Sequence, residues 1–499
     1  MRAHRFHETG TGRLLVALLA SAFVVGACSR PKEAPEPPAP SKGASLLDGE
    51  AMDACIIEGT TAFCGSLRVP EDRGTPSGRQ IDLNVAVIPA ARPEGEDDPV
   101  FFLAGGPGGA ATQSWARAAT IFPGVHETRN IVLVDQRGTG RSEPLIGPAL
   151  PNVAGLSRSE QGAAAKAWIR EALTQTEADP RFYTSVEAAD DLDDVRSALG
   201  YETINLYGSS YGATLAQYYL RLHGEHARAV VLDGGTLLDV PVLELIAARS
   251  QAALETVFTA CDRNEPCRTA FPHLESEFLA VIDELAAQPI RTDVKDPITG
   301  EQVVVSADTF AELIHQLLVE SRSGEVPAVV HLAASGDAEA IAERIVGSDG
   351  TASLFRQLML WSIFCSEPWA AYDLRDVARF GRHSYLGASQ LAFAENVRMI
   401  CRMMPRRSPR SWEDEPVRST VPVLLLNGTA DPQDPPDNVA NAPLELQKSL
   451  SVPVRGYGHT VGHIGCLPVV VAAFFTAGTT VDLDTRCAQV LPEPSFLIP

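Results

Sequence analysis

Short apolar runs and helical stretches alternate along the chain from about residue 79 onward. "RQIDLNVAVIPA" sets Ile81, Leu83, Val85 and Val87 at period two, which predicts a half-exposed strand. Five other runs are continuous: "PVFFLAGG" (99–106), "NIVLVDQRG" (130–138), "TINLYGS" (203–209), "AVVLDGG" (229–235) and "VPVLLLNG" (421–428). Each is a few apolar residues closed by glycine or a polar turn, as strands buried on both faces of a parallel sheet require. Helical segments lie between them. "VEAADDLDDVRSALG" (186–200) carries Val186, Ala189, Leu192 and Leu199 on one stripe and ends at Gly200. Strands alternating with helices predict an α/β fold with a mostly parallel sheet and right-handed crossovers.

Two regions break this rhythm. Between residues 236 and 420 strand-like runs nearly vanish and helical pieces such as "VLELIAARSQAALETVFTACD" dominate. Roughly 185 residues is too long for a loop, so the interval is expected to be an inserted helical cap over the sheet. At the other extreme, "MRAHRFHETGTGR" has three arginines and one glutamate, and the apolar run 14–25 that follows is short for a membrane span but suits a signal-peptide core. Small residues then precede Cys28 in "VGAC", which resembles a bacterial lipobox, so residues 1–27 are expected to be removed and Cys28 acylated. Residues 28–50, rich in proline and alanine, are expected to be a tether. The expected organisation is thus signal 1–27, tether 28–50, core 51–235, cap 236–420 and core again 421–499.

Composition adds little except by exclusion. Hydrophobic residues at 45% suffice for a sizeable core. A net charge of −22 disfavours nonspecific nucleic-acid binding, which needs cations to replace phosphate counterions. Setting Cys28 aside leaves Cys55, Cys64, Cys261, Cys267, Cys365, Cys401, Cys466 and Cys487, an even number that fits disulfides in an exported chain. Short separations favour Cys55–Cys64 and Cys261–Cys267, and Cys365–Cys401 and Cys466–Cys487 follow by elimination. No cysteine–histidine cluster has zinc spacing, so neither a metal nor a cofactor is expected.

The chemistry centres on "GSSYG" (208–212), a G-x-S-x-G match between a strand-like and a helix-like segment. Such a turn needs glycines on both sides and lifts the central hydroxyl above the sheet, which selects Ser210 over Ser209 as a nucleophile. A serine needs a base oriented by an acid, and in α/β-hydrolases these follow in the order Ser, acid, His. Asp431 stands three residues past the strand at 421–428, and His459 follows 28 residues later after another short strand. Asp434 and Asp437 are the competing acids and look like helix-start residues; His463 is the competing base. The bare loop "LAGGPGG" (103–109) offers the N–H of Gly106 to an oxyanion, with the N–H of Tyr211 as second donor. Losing one such donor costs about 2.7–4 kcal/mol of transition-state stabilisation. The glycines lack the lysine and spacing of a phosphate loop.

Taken in order, "FFLAGGPGG", "VDQRGTGRSEP", "AADDLDDVRSALGYETINLYGSSYGATLAQYY", "VVLDG", "PVLLLNGTADPQDPP" and "GYGHTVGHIGC" resemble the proline iminopeptidase and tripeptidyl aminopeptidase family of secreted α/β-hydrolase-fold serine peptidases. The resemblance spans about residues 55–490 and implies Ser210, Asp431 and His459 as the triad. The segment holding His459, Cys466 and Cys487 is similar to the C-terminal part of the tripeptidyl type. "FCSEPW" (364–369) is similar to a cap segment that holds the substrate ammonium in such enzymes, which implies that role for Glu367. Ala104 departs from the histidine that many proline iminopeptidases carry there. The implied partners are a peptide or small ester substrate and, through the lipid, a membrane; the implied place is the bacterial cell envelope. Rival readings are an ester or lactone hydrolase and a non-catalytic binding lipoprotein.

Overall fold

The computed structural model describes residues 46–92, 95–151, 158–297, 300–347, 357–368 and 372–498. Residues 1–45, including the signal segment, Cys28 and most of the tether, lie outside the described residues.

A nine-stranded sheet organises the chain: β1 (Asp53–Ile57), β2 (Thr60–Pro70), β3 (Gln80–Ile88), β4 (Val100–Leu103), β5 (Ile131–Val134), β6 (Ile204–Ser209), β7 (Ala227–Asp233), β8 (Val423–Gly428) and β9 (Ser449–Val454). Their spatial order is β9-β8-β7-β6-β4-β5-β3-β2-β1. β1, β2 and β3 are antiparallel to their neighbours, and every pair from β5 to β9 is parallel. The continuous apolar runs behave as their composition demands. In β4, Phe101 and Leu103 face one core while Val100 and Phe102 face the other; in β8, Val423 and Leu425 oppose Leu424 and Leu426. A strand buried on both faces has no polar face to show, so alternation disappears from its sequence.

One face is covered by α1 (Ser185–Ala198) and α2 (Tyr211–His223), the other by α8 (Leu467–Ala477), whose Phe474 and Phe475 are fully buried. Burying one such side chain is worth about 1.5–3 kcal/mol. Helix α8 stops at Gly478, whose φ of 60° is a left-handed end that glycine adopts without strain.

Between β7 and β8 lie α3 (Val242–Arg263), α4 (Leu274–Ala287), α5 (Ala307–Val319), α6 (Leu358–Ser366) and α7 (Gly387–Cys401). α3, α4 and α5 share a core of their own around Leu254, Phe278, Phe310 and Ile314. α6 and α7 do not join it: Met359, Ile363, Val397 and Ile400 pack into the core beneath the sheet. The interval therefore has two packing allegiances, which its uniform helical pattern did not reveal. It also holds an antiparallel hairpin, Ile290–Lys295 with Gln302–Val305, whose short strands have mostly exposed or half-buried residues. A capping box starts α5: the Ser306 hydroxyl accepts from the N–H of Thr309 at 3.2 Å, and the Thr309 hydroxyl accepts from the N–H of Ser306 at 2.8 Å.

Among the described residues four disulfides are formed: Cys55–Cys64 across β1 and β2, Cys261–Cys267, Cys365–Cys401 and Cys466–Cys487. Cys365–Cys401 joins α6 to the end of α7 and closes a loop of 36 residues. Closing such a loop restricts the unfolded chain, so replacing both cysteines by serine is expected to cost about 2–4 kcal/mol, read as a lower denaturant midpoint, with a steeper slope because the freed unfolded chain exposes more surface.

Candidate active site

β6 ends at Ser209 and α2 begins at Tyr211, which leaves Ser210 alone in the turn with φ 57° and ψ −124°. That backbone costs a non-glycine residue about 1–3 kcal/mol and persists because its surroundings fix it. The N–H of Ser210 donates to the carbonyl of Asp233 at 2.8 Å, and its own carbonyl accepts from the N–H of Ala213 at 2.8 Å. Both flanking glycines are sterically obligatory: a Cβ on Gly208 would lie 2.3 Å from the Gly212 oxygen, and one on Gly212 would lie 2.1 Å from the Leu103 oxygen. Ser209 stays within β6, paired opposite Asp233. The turn thus presents Ser210 at its tip, as the motif predicted.

The glycine loop after β4 packs directly on this turn, since a Cβ on Gly105 would come within 2.9 Å of the Ser210 Cβ. Gly106, Ser210 and Tyr211 line one cavity of about 640 Å3. Behind the loop, the buried Asp135 carboxylate accepts from the N–H of Thr112 at 2.9 Å, the N–H of Arg141 at 3.1 Å and the Asn84 amide at 2.9 Å. Arg137, fully buried, makes a two-pronged ion pair with Asp191 at 2.7 and 2.6 Å. "DQRGTGRS" is therefore the brace of this corner.

His459 and Asp431 come together as expected. His459 Nδ1 lies 2.8 Å from Asp431 Oδ2, and the other oxygen of Asp431 accepts from the N–H groups of Gln433 at 2.8 Å and Asp434 at 3.0 Å. The His459 ring lies against the turn after β7, where a Cβ on Gly234 would be 3.0 Å from its Nδ1 and Cε1. Since Asp233, one residue earlier, holds the N–H of Ser210, the serine turn and the histidine share one corner of the sheet. His459 Nε2 is buried with no hydrogen-bond partner among the described residues. It makes no hydrogen bond to Ser210 Oγ.

The fold treats the two competing acids differently. Asp437 pairs with Arg249 at 2.8 Å. Asp434, expected to be a helix-start residue, instead stands 3.6 Å from His459 Nδ1, shares a hydrogen with the Thr236 hydroxyl and lines the cavity. Burial drives the Asp434 carboxyl up to about 6, with the His459 charge opposing and Asp431 reinforcing the rise. Burial alone would lower His459; the charge and hydrogen bond of Asp431, with Asp434 and Asp233 behind it, outweigh that and push it up to about 9.

Glu367 departs from its implied role. Its carboxyl is fully buried, and both oxygens are occupied by Ser185, through the N–H at 2.6 Å and the hydroxyl at 3.0 Å. Burial pushes it up to about 8 against those hydrogen bonds and the Arg407 charge, which leaves it largely neutral at pH 7. It is not among the residues lining the cavity, although Phe364 and Pro368 are. The Ser185 hydroxyl continues to the Tyr211 phenol at 2.8 Å, so Glu367 backs the turn rather than facing a substrate. The acidic groups that do line the cavity are Asp239, Glu312, Glu413, Asp414 and Asp434, with neither lysine nor arginine among its described lining residues. Glu413 is already neutralised by Arg407 at 2.7 and 3.1 Å.

Asp233 is the residue the sequence reading missed. Its carboxylate is fully buried and accepts from the Tyr207 phenol at 2.6 Å and from the N–H groups of Val461 at 2.7 Å and Gly462 at 3.1 Å. Its signal was present in "VVLDG", an aspartate ending an otherwise apolar run.

The electrostatics predict a titration. The His459 ring should lose its proton with a midpoint near pH 9, and Asp434→Asn should lower that midpoint, because it removes a negative charge that favours the imidazolium. The histidine proton resonances, followed by NMR against pH in both proteins, check the sign; an unchanged or higher midpoint in the variant contradicts it.

Residues 98–260 match the family described as alpha/beta hydrolase fold, and residues 389–487 match the family described as TAP-like protein. A tripeptidyl aminopeptidase of Streptomyces lividans is 30% identical over 185 residues, 34% of each chain, so that match spans about a third of the relative. The serine protease Hip1 of Mycobacterium tuberculosis is 24% identical over 479 residues, covering 85% of this chain and 87% of that one. A Mycobacterium tuberculosis protein named carboxylesterase B is 26% identical, covering 96% of both. The sheet order, the serine turn and these matches agree: the chain has the α/β-hydrolase fold with a TAP-like C-terminal segment.

Proposed function

We propose that this protein is an exported serine hydrolase that releases residues from the free N-termini of peptides through an acyl-enzyme on Ser210. The observation that carries the reading is the strained Ser210 turn on an acid-lined cavity, with the buried Asp431–His459 pair at the same Asp233–Gly234 corner of the sheet. In this reading Ser210 Oγ attacks the scissile carbonyl while His459 Nε2 takes its proton. Asp431 holds the ring tautomer with Nδ1–H inward and stabilises the imidazolium. The N–H groups of Gly106 and Tyr211 receive the oxyanion. His459 then protonates the leaving amine, and water, activated by the same ring, frees the acyl group.

The acidic lining supports a substrate that carries a cation. A free α-ammonium entering the cavity meets Glu312, Asp414 and Asp239, which are exposed to solvent and have no arginine ion pair among the described residues. Esters remain a second reading. Leu237, Leu243, Ile246, Leu360 and Phe393 give the same cavity an apolar side suited to an uncharged acyl group, and one relative is named a carboxylesterase.

Four disulfides support export to an oxidising compartment, and the lipobox-like "VGAC" supports acylation of Cys28. Among the described residues no helix is long and apolar enough to cross a membrane.

Two experiments test these points. Free-amine peptidyl substrates, their N-acetylated forms and simple esters are compared with Ser210→Ala as control. The control should lose activity by on the order of 10,000-fold or more, and acetylation should abolish peptide turnover. Glu312→Gln and Asp414→Asn should each raise KM for free-amine peptides about two- to fivefold, the roughly 0.4–1 kcal/mol of an exposed ion pair, and leave esters nearly unaffected. Activity that survives acetylation, or is confined to esters, replaces the peptidase reading with the esterase one. In cell fractionation, Cys28→Ser should move the protein from the membrane to the soluble fraction; retention in the membrane overturns the anchor.

A further inference from the structure

The far end of α2 carries a cluster with no part in the chemistry above. α2 ends at His223, a short turn follows, and His226 precedes β7. Thirteen residues of helix separate this end from Ser210, a distance of about 20 Å at 1.5 Å per residue. Facing the two histidines is α1, which contributes Asp190 and Asp193 one turn apart.

We propose that Asp193, His223 and His226 form a binding site for a divalent transition-metal ion of the zinc class, stapling α1 to the end of α2. His226 Nδ1 lies 2.7 Å from Asp193 Oδ1, and His223 Nδ1 lies 3.8 Å from Asp193 Oδ2. One ligand atom from each of the three residues lies within 4.8 Å of the others. Donor atoms so placed close around an ion at about 2.0–2.2 Å with small side-chain movements, the His226 ring giving up the hydrogen it shares with Asp193. Two imidazoles and a carboxylate suit zinc, and three protein ligands leave a fourth position for water. All three residues are part-exposed, so an ion has a path in.

The surroundings distinguish this cluster from an ordinary surface ion pair. A histidine that binds a metal through one ring nitrogen needs its other N–H held, and His223 Nε2 already lies 2.9 Å from Asp190 Oδ1. His223 Nδ1 then faces Asp193 and, once it gives up its proton, is the ring atom placed to take the ion. Asp193 is fixed as well, by the Arg196 guanidinium at 2.7 and 3.1 Å and the Tyr219 phenol at 2.9 Å. Arg196 opposes the ion by its charge, whereas Asp190 and Asp193 together supply two negative charges. The sequence reading sought cysteine–histidine spacing and passed over "HGEH", because the carboxylates come from a helix some thirty residues earlier.

The test uses tag-free protein stripped with a chelator and titrated with zinc chloride by calorimetry, with thermal unfolding alongside. One zinc per chain and a raised unfolding midpoint are expected. His223→Ala and His226→Gln should each remove both effects, and Asp190→Asn should weaken binding roughly 10–100-fold. His459→Ala should bind zinc as the parent does, which separates this site from the Asp431, Asp434 and His459 group. Circular dichroism confirms that each variant folds, and the two histidine variants serve as alternates if one does not. No zinc uptake by the parent overturns the proposal. So does binding that survives both histidine variants or is lost in His459→Ala.

Discussion

One buried carboxylate holds the candidate site together. Asp233 ends β7, and its backbone carbonyl receives the N–H of Ser210 while its side chain receives the N–H groups of Val461 and Gly462. The strained serine turn and the loop bearing His459 are thus referenced to the same residue, although 249 positions separate Ser210 from His459 in the chain. A carboxyl with no solvent contact is costly unless its lone pairs are filled, and here the Tyr207 phenol and two amides fill them. Removing those amides would leave the charge unpaired, so the loop is held by the penalty of letting go as much as by the bonds themselves. Reacting groups need positioning to a fraction of an ångström, and a shared rigid anchor supplies it better than two separate ones.

The helical insertion is tied to the same loop. The N–H of His459 donates to the carbonyl of Val319, the last residue of α5, at 3.0 Å, and the N–H of Gly458 donates to the Ser321 hydroxyl at 3.0 Å. The Ser323 hydroxyl donates in turn to the Gly456 carbonyl at 3.0 Å. A Cβ at position 458 would lie 1.7 Å from the Leu318 oxygen, so glycine there is a condition of this contact. α5 also carries Glu312, His315 and Gln316 into the cavity. The element that shapes the binding space therefore ends on the residue expected to move protons, and a displacement of this part of the cap would disturb His459 directly. Substrate fit and catalytic geometry share a support.

These arrangements were unevenly legible in the sequence. The central strands could be read because burial on both faces strips them of polar residues, and the serine turn because two glycines are forced by carbonyls about 2 Å from where a Cβ would stand. The pairing of Asp431 with His459 followed from chain order and strand ends. What sequence could not give is which carboxylate faces the cavity. Asp239, Glu312 and Asp414 come from three segments that meet only in the folded cap. Glu367, placed by resemblance, lies a few residues from cavity-lining Phe364, yet the end of α6 turns its carboxyl toward Ser185. Asp434 was misread for a related reason: amid prolines a helix start is a sound local inference, and only the fold brings His459 beside it.

The two carboxylates around His459 set a trade-off that follows from electrostatics alone. An imidazole facing Asp431 and Asp434 holds its proton more tightly, so with a value of about 9 only about 1% of it is the free base at pH 7. Yet in the proposed mechanism the same charges would stabilise the imidazolium formed when the ring accepts the serine proton, and a stronger base would take that proton with more driving force. Asp434 shifts the balance without touching the reacting atoms, and it titrates itself, with a value of about 6. A cationic substrate group near Asp434 would compete for its field, lower the proton affinity of His459 and raise the free-base fraction when the cavity is filled. The acidity of the cavity and the basicity of the histidine are then coupled quantities, and a substrate that satisfies the first relaxes the second.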